Sequence, residues 1–255
     1  MGFFYDPSDG GPLRLELLSV NGTRFRILQR MAYRSDRYAE PFEFPASLDD
    51  FRTDLASVPA LFTWLVPRTG DFLPAAVLHD SLLADDYRGP AVTRAEADDI
   101  FRIAMDELGT GRVRSWLMWS AVSAATMWRS GRPGERIAVA GVLALVVLLG
   151  LVSSLDLVDV WDVLPWMGDR SWAVELVSGT IGAIAIPPVL AVSWGDRRLA
   201  GAIAGVSLAL LLHVTIVLAL LYSLYRAIEY VVSGPRRPDG VYPERRRPDA
   251  PGRPH

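Results

Sequence analysis

The dipeptide His79-Asp80 is the first feature of this sequence that could do chemistry. It lies in the segment DFLPAAVLHDSLL, which is apolar almost throughout. A helix here would place His79 on one face with Phe72, Ala75 and Leu82. Burying an imidazole and a carboxylate without partners costs roughly several kcal/mol. We therefore expect polar partners for both from elsewhere in the fold.

Asp98 is the predicted partner of His79. In the segment TRAEADDIFRIAMDEL, Ala97, Phe101 and Met105 share one apolar face of a helix. Asp98 lies at the edge of that face, whereas Asp99 points to the opposite side. A carboxylate on one helix commonly fixes the tautomer of a histidine on another.

Asp54, in FRTDLASVP, is a further carboxylate, 26 residues before Asp80. Together with backbone carbonyls, Asp54 and Asp80 would form an oxygen-rich site that suits calcium rather than zinc. Taken alone, these residues also fit a buried structural network. The absence of cysteine excludes disulfides and thiol catalysis.

The head that must position these residues is predicted to span 1–131. Alternating segments at 13–19 and 23–33 flank Asn21-Gly22, which predicts a β-hairpin. A loop with a short strand at 41–44 follows, and then helices at 72–84, 93–108 and 113–129. The predicted fold class is mainly α, with a small N-terminal β-hairpin, a three-helix core and about three transmembrane helices.

A membrane domain is predicted over 132–232, because 51% of the residues are hydrophobic and the long apolar runs fall there. The runs at 137–155, 172–194 and 199–222 each approach the roughly 20 residues that cross a bilayer. His213 lies within the third and is expected to hydrogen-bond to a neighbouring helix. A channel or transporter is disfavoured, because the spans lack repeated polar positions.

The charges between the spans predict a multi-pass protein of the bacterial inner membrane. Arginines precede the first span and the turn GDRR joins the last two, which places the head and this turn in the cytoplasm and the acidic loop 156–171 outside. The Pro- and Arg-rich tail at 233–255, predicted to be disordered, contradicts this rule. A fourth span at 115–128 would only move the violation to 131–136.

Residues 40–131 resemble the bacterial and fungal secreted phospholipase A₂ family. The matching positions in this sequence are Thr53, Asp54, Leu55, Ala75, Ala76, His79, Asp80, Asp98, Phe101, Met105, Trp116, Trp119, Ala121 and Val122. The same stretch is more similar to a phage and bacterial family known only as a domain of unknown function. The motifs that carry this second resemblance are TDLASVP, AAVLHD and R-x-E-A-D-x-I-F, at 53–59, 75–80 and 94–101.

The phospholipase A₂ resemblance implies a role for each residue of the site. His79 would be the general base that takes a proton from water, and Asp98 would hold its other ring nitrogen. Asp80, Asp54 and the Leu55 carbonyl would bind calcium, which would polarise the ester carbonyl. The family's tyrosine, four residues after the histidine, is Leu83 here.

The leading hypothesis is therefore a membrane-anchored, calcium-dependent lipid acyl hydrolase acting on membrane phospholipid. Phe62, Trp64, Leu65 and Phe72 are candidates for an apolar rim that contacts lipid, although core packing is the more common role. A cytosolic enzyme that attacks its own bilayer must be restrained, which suggests a toxin or antiphage effector. The spans would support a homo-oligomer, and near-neutral charge argues against nucleic acid. The alternative is a non-catalytic membrane-anchored scaffold or assembly module with a structural His-Asp network.

Overall fold

Short strands come first along the chain, and helices follow. The structure is a computed structural model that describes residues 2–20, 24–53 and 69–234. Strands β1 to β5 are Phe3–Tyr5, Leu17–Ser19, Phe25–Ile27, Met31–Arg34 and Phe42–Phe44. Helices α1 to α6 are Leu73–Leu82, Arg94–Glu107, Arg112–Arg129, Pro133–Leu157, Trp172–Leu190 and Arg198–Ser233. The predicted mainly helical class with a small N-terminal β region is confirmed.

The β region consists of two small sheets. Strand β2 pairs antiparallel with β3, with Leu17 opposite Ile27, which confirms the predicted pairing. The segment 23–33, predicted as one strand, is divided between β3 and β4, which belong to different sheets. The predicted turn Asn21-Gly22 lies outside the described residues. Strand β4 pairs antiparallel with both β1 and β5 in a separate three-stranded sheet. Strand β1 was not predicted, because three residues are too few to show a period of two.

Helices α1, α2 and α3 confirm the predicted helices within about two residues. Pro74 occupies the first turn of α1, where a missing N–H costs nothing. Thr93 and Glu96 form a reciprocal capping box at the start of α2. Apolar residues of α1 and α2 pack with β-strand residues in one core that includes Tyr33, Phe44, Phe72, Leu78 and Met105. This core fixes α1 against α2 and so sets the geometry of the site between them.

The prediction of three membrane spans was wrong in number. Within the described residues, two helices are long and apolar enough to cross a membrane, Pro133–Leu157 and Trp172–Ser233. The second is a stretch of 62 residues that contains both the second and the third predicted spans. Within this stretch the 3₁₀ segment Ala191–Arg197 joins α5 to α6, and Gly195 inside it has non-helical φ and ψ. The alternative span at 115–128 is part of α3, which buries Ser115, Ser120 and Ser123.

The 62-residue stretch folds back on itself at Gly195, and we call α5, the 3₁₀ segment and α6 the apolar hairpin. Gly195 has φ 59° and ψ −123°, a conformation that non-glycine residues avoid. The two arms are packed closely, because a Cβ built on Gly205 of α6 would lie 2.7 Å from Cβ of Pro187 in α5. Glycine at 205 therefore permits the contact between the arms.

Helix α3 connects the head to the apolar helices. Trp119 and Met127 of α3 are buried in a second apolar cluster with Val139 and Val142 of α4 and with Trp194 of the 3₁₀ segment. The head and the 3₁₀ segment therefore lie at the same end of α4. Farther along the apolar helices, His213 Nε2 of α6 lies 2.6 Å from Ser154 Oγ of α4, which is the interhelical hydrogen bond predicted for this histidine.

Candidate functional site

The structure brings His79 and Asp98 together between α1 and α2. His79 Nε2 lies 2.9 Å from Asp98 Oδ1. Asp98 is completely buried and His79 is 8% exposed. The ring of Phe101 lies 5.1 Å from the imidazole, centroid to centroid, and limits how the ring can turn. The helical periodicity therefore correctly distinguished the inward Asp98 from the exposed Asp99, which accepts a hydrogen bond from Trp119 Nε1.

Asp98 has further hydrogen-bond partners from two other elements. Thr126 Oγ1 of α3 donates to Oδ1 at 3.2 Å. Arg197 of the 3₁₀ segment donates from Nη1 to Oδ2 at 2.8 Å. The same Nη1 atom is 2.7 Å from Ser123 Oγ of α3. Both carboxylate oxygens are therefore engaged, and the buried charge of Asp98 has a cationic partner, as a buried carboxylate requires.

The contact with Asp98 decides which ring nitrogen of His79 is available for chemistry. An ionised carboxylate only accepts hydrogen bonds, so Nε2 must carry the proton that it donates to Asp98. In the neutral imidazole Nδ1 is then unprotonated. No described residue hydrogen-bonds to Nδ1. The arrangement can present Nδ1 as a proton acceptor.

Asp80 lies beside the strand segment that leads into the predicted calcium loop. Thr53 Oγ1 donates to Asp80 Oδ2 at 2.6 Å. Thr53 is held in turn by two backbone hydrogen bonds with Phe25 of β3. Asp54 and Leu55, the other predicted calcium ligands, lie outside the described residues. Within the described ranges, no group of three or more His, Asp or Glu side chains is arranged to hold a metal ion.

A polar cleft of about 700 Å³ opens next to Asp80. Asp80 contributes to its wall, whereas His79 is not among the described residues that line it. The other lining residues are acidic, arginine and apolar side chains: Asp50, Phe51, Arg52, Leu83, Ala84, Asp85, Asp86, Arg94 and Arg129. The cleft can therefore accept a ligand that carries both charged and polar groups.

Sequence reasoning missed Arg197, Ser123 and Thr126. Arg197 lies 99 positions from Asp98, and nothing local in GDRR indicates a contact with the head. Ser123 and Thr126 are three positions apart and so share one face of α3. Two hydroxyl residues on one face of α3, within a segment that carries no charge, are the signal that could have identified them.

Two expectations for the surroundings of the site are resolved by burial and packing. Phe72 has no exposed surface and belongs to the head core, so of the two roles weighed for it the structure shows core packing and not a lipid-contacting rim. Phe62, Trp64 and Leu65, the rest of that rim, lie outside the described residues. Leu83 packs against the head core. A leucine side chain cannot donate a hydrogen bond to Asp98, and the hydroxyl donor to this carboxylate is Thr126.

Comparison with known proteins assigns a family to part of this region. A domain of the family described as "Protein of unknown function (DUF1353)" is found at residues 25–122, less than half of the 255-residue chain. The match includes His79, Asp80 and Asp98 but ends within α3, before the apolar helices. No curated protein and no solved structure matches the chain. The phospholipase A₂ resemblance therefore stays a prediction.

Proposed function

We propose that the protein is a membrane-anchored lipid acyl hydrolase of the phospholipase A₂ type, in which His79 is the general base. The observation that carries the proposal is the 2.9 Å contact between His79 Nε2 and the buried Asp98 Oδ1. This contact leaves Nδ1 as the nitrogen that can accept a proton from water. A fixed, correctly protonated imidazole is the requirement for general base catalysis of ester hydrolysis.

The proposed reaction is hydrolysis of an ester bond of a phospholipid. His79 Nδ1 accepts a proton from water as the water oxygen forms a bond to the ester carbonyl carbon. The bond between this carbon and the alkoxy oxygen then breaks, and the proton held at Nδ1 passes to the leaving alkoxide. The products are a fatty acid and a lysophospholipid. Asp98 stabilises the imidazolium that forms in between and stays ionised itself.

Calcium is the proposed cofactor, bound by Asp80, Asp54 and the Leu55 carbonyl. Asp80 fits this role, because carboxylate oxygens are the ligands that calcium prefers. The contact between Asp80 and Thr53 supports the assignment, since Asp54 follows Thr53 directly in the chain. When bound, calcium would polarise the ester carbonyl and stabilise the charge that develops on its oxygen.

The apolar helices are the proposed membrane anchor. In the most apolar 18 residues of each candidate helix, only 17% and 11% are buried within the protein. Large exposed apolar surfaces of this kind indicate a lipid or protein partner. In this proposal the head is cytoplasmic and faces the bilayer that supplies its substrate. The activity of an enzyme that attacks the membrane of its own cell must be restrained, which suggests a toxin or an antiphage effector.

Fatty-acid release from mixed phospholipid vesicles by the purified full-length protein tests the proposal. Calcium is titrated against a chelator. We expect calcium-dependent release that is lost in His79→Ala and Asp80→Asn, because these changes remove the base and a calcium ligand. His213→Asn and Asp71→Asn are matched controls, since His213 bonds within the apolar helices and Asp71 is exposed. Release that persists in His79→Ala, or no release from folded wild-type protein at any calcium level, would contradict the proposal.

A non-catalytic scaffold is the second candidate function, and the partners of Asp98 favour it. His79, Thr126 and Arg197 engage both oxygens of a completely buried carboxylate. A fully satisfied buried network of this kind also specifies and rigidifies a fold. If the protein is a scaffold, His79→Ala should lower the stability of the fold, and neither the wild type nor any variant should form a lipid product. The vesicle assay therefore separates the two candidates.

A further inference from the structure

Arg197 connects the apolar hairpin to the His79–Asp98 pair of the head. Its Nη1 atom lies 2.8 Å from Asp98 Oδ2. The Asp98 side chain has no solvent exposure, and the Arg197 side chain is 16% exposed. The DUF1353 match ends at residue 122, so this contact comes from outside the matched domain. The hairpin thus supplies a charged group to the candidate site.

The orientation of the Asp98 carboxylate depends on contacts from opposite sides. His79 and Thr126 engage Oδ1, whereas Arg197 engages Oδ2. Without Arg197, the Oδ2 atom would lose its only described partner, and the carboxylate could rotate away from His79. Ser123 holds the guanidinium at 2.7 Å and so limits where Arg197 can lie.

The position of Arg197 is determined by how the hairpin turn packs. Trp194 is buried and donates from Nε1 to the backbone oxygen of Ala138 in α4 at 3.2 Å. Gly201 lies against the Trp194 ring, where a Cβ would come within 2.7 Å of it. Gly195 supplies the reversal between Trp194 and Arg197. A shift of the hairpin against α4 would therefore move the guanidinium relative to Asp98.

We propose that Arg197 is a positioning residue that makes the alignment of His79 depend on how the apolar hairpin packs against α3 and α4. This inference rests on the proposed hydrolase function. Arg197 touches neither the water nor the ester in this account. It acts through Asp98, so its loss should reduce turnover rather than substrate affinity.

The test compares Arg197→Ala with Arg198→Ala in the full-length protein. Arg198 is an exposed arginine next to Arg197, so the control makes the same change of charge in the same turn. We expect kcat of vesicle hydrolysis to fall on the order of 100-fold in Arg197→Ala. KM should be little changed, and Arg198→Ala should behave as wild type. Arg197→Lys should recover part of the turnover, and millimolar guanidinium should partly restore Arg197→Ala.

Equal turnover in Arg197→Ala and Arg198→Ala would overturn the inference. A loss that neither lysine nor guanidinium restores would also overturn it, because the residue would then be structural only. If the wild type releases no fatty acid, the proposed function fails. The positioning role of Arg197 is then tested by the imidazole ¹⁵N signals of His79. They should change in Arg197→Ala and not in Arg198→Ala, and unchanged signals in both would contradict a positioning role.

Discussion

Arg197 and Asp98, 99 positions apart in the chain, form an ion pair of 2.8 Å in which Asp98 has no solvent exposure. The pair joins the turn of the apolar hairpin to the second helix of the head. Removing one partner of such a pair leaves a buried charge without compensation. The ion pair therefore ties the stability of the head to the hairpin, whatever the head does.

We predict that Arg197→Met lowers the free energy of unfolding by about 3–5 kcal/mol, because Asp98 stays buried and charged. The double variant Asp98→Asn/Arg197→Met should lose much less than the sum of the single variants. Denaturant titration in detergent micelles measures the four proteins of this cycle. Additive losses would show that the two side chains do not interact.

The capping box at the start of α2 yields a prediction of pH dependence. The backbone and side chain of Thr93 donate to Glu96 at 2.7 and 2.8 Å and lower the pKa of that carboxyl. A carboxyl with a lowered pKa in the folded state stabilises the protein above its unfolded pKa. This contribution is lost as the pH falls through the folded pKa.

Glu96→Gln should therefore be less stable than wild type at pH 7, and the difference should shrink at acid pH. Thr93→Ala should lose about 1 kcal/mol at pH 7 through the missing cap. Thermal unfolding monitored by circular dichroism between pH 7 and pH 3 measures both effects. A difference between Glu96→Gln and wild type that grows toward acid pH would contradict the assignment.

Gly195 should be intolerant of a side chain because of its backbone alone. Gly195→Ala should cost about 1–3 kcal/mol, since φ 59° with ψ −123° is strained for alanine. Gly141→Ala in α4 is the matched control, because a Cβ at either glycine meets nothing within 4 Å. The control should be neutral or slightly stabilising, as alanine favours helix. Equal stability of the two variants would indicate that the turn does not need this conformation.

The sequence predicts those parts of the site that depend on local periodicity. The apolar face of α2 identified Asp98 as inward, and the structure shows it completely buried. The role of Arg197 could not be predicted, since it depends on how a hairpin packs against α3 and α4. The predicted number of membrane spans was wrong, because the second and third apolar runs are joined by the 3₁₀ segment Ala191–Arg197 into the one stretch Trp172–Ser233. Strand β1 is recognisable only through its pairing with β4.

The tautomer of His79 is the most direct test of this account, because both the hydrogen bond to Asp98 and the proposed base depend on it. The imidazole ¹⁵N shifts of the full-length protein in nanodiscs, above the titration range of histidine, measure the tautomer. His79→Gln identifies the signals among the three histidines. We predict a protonated Nε2 and an unprotonated Nδ1. A proton on Nδ1, with Nε2 unprotonated, would contradict the account.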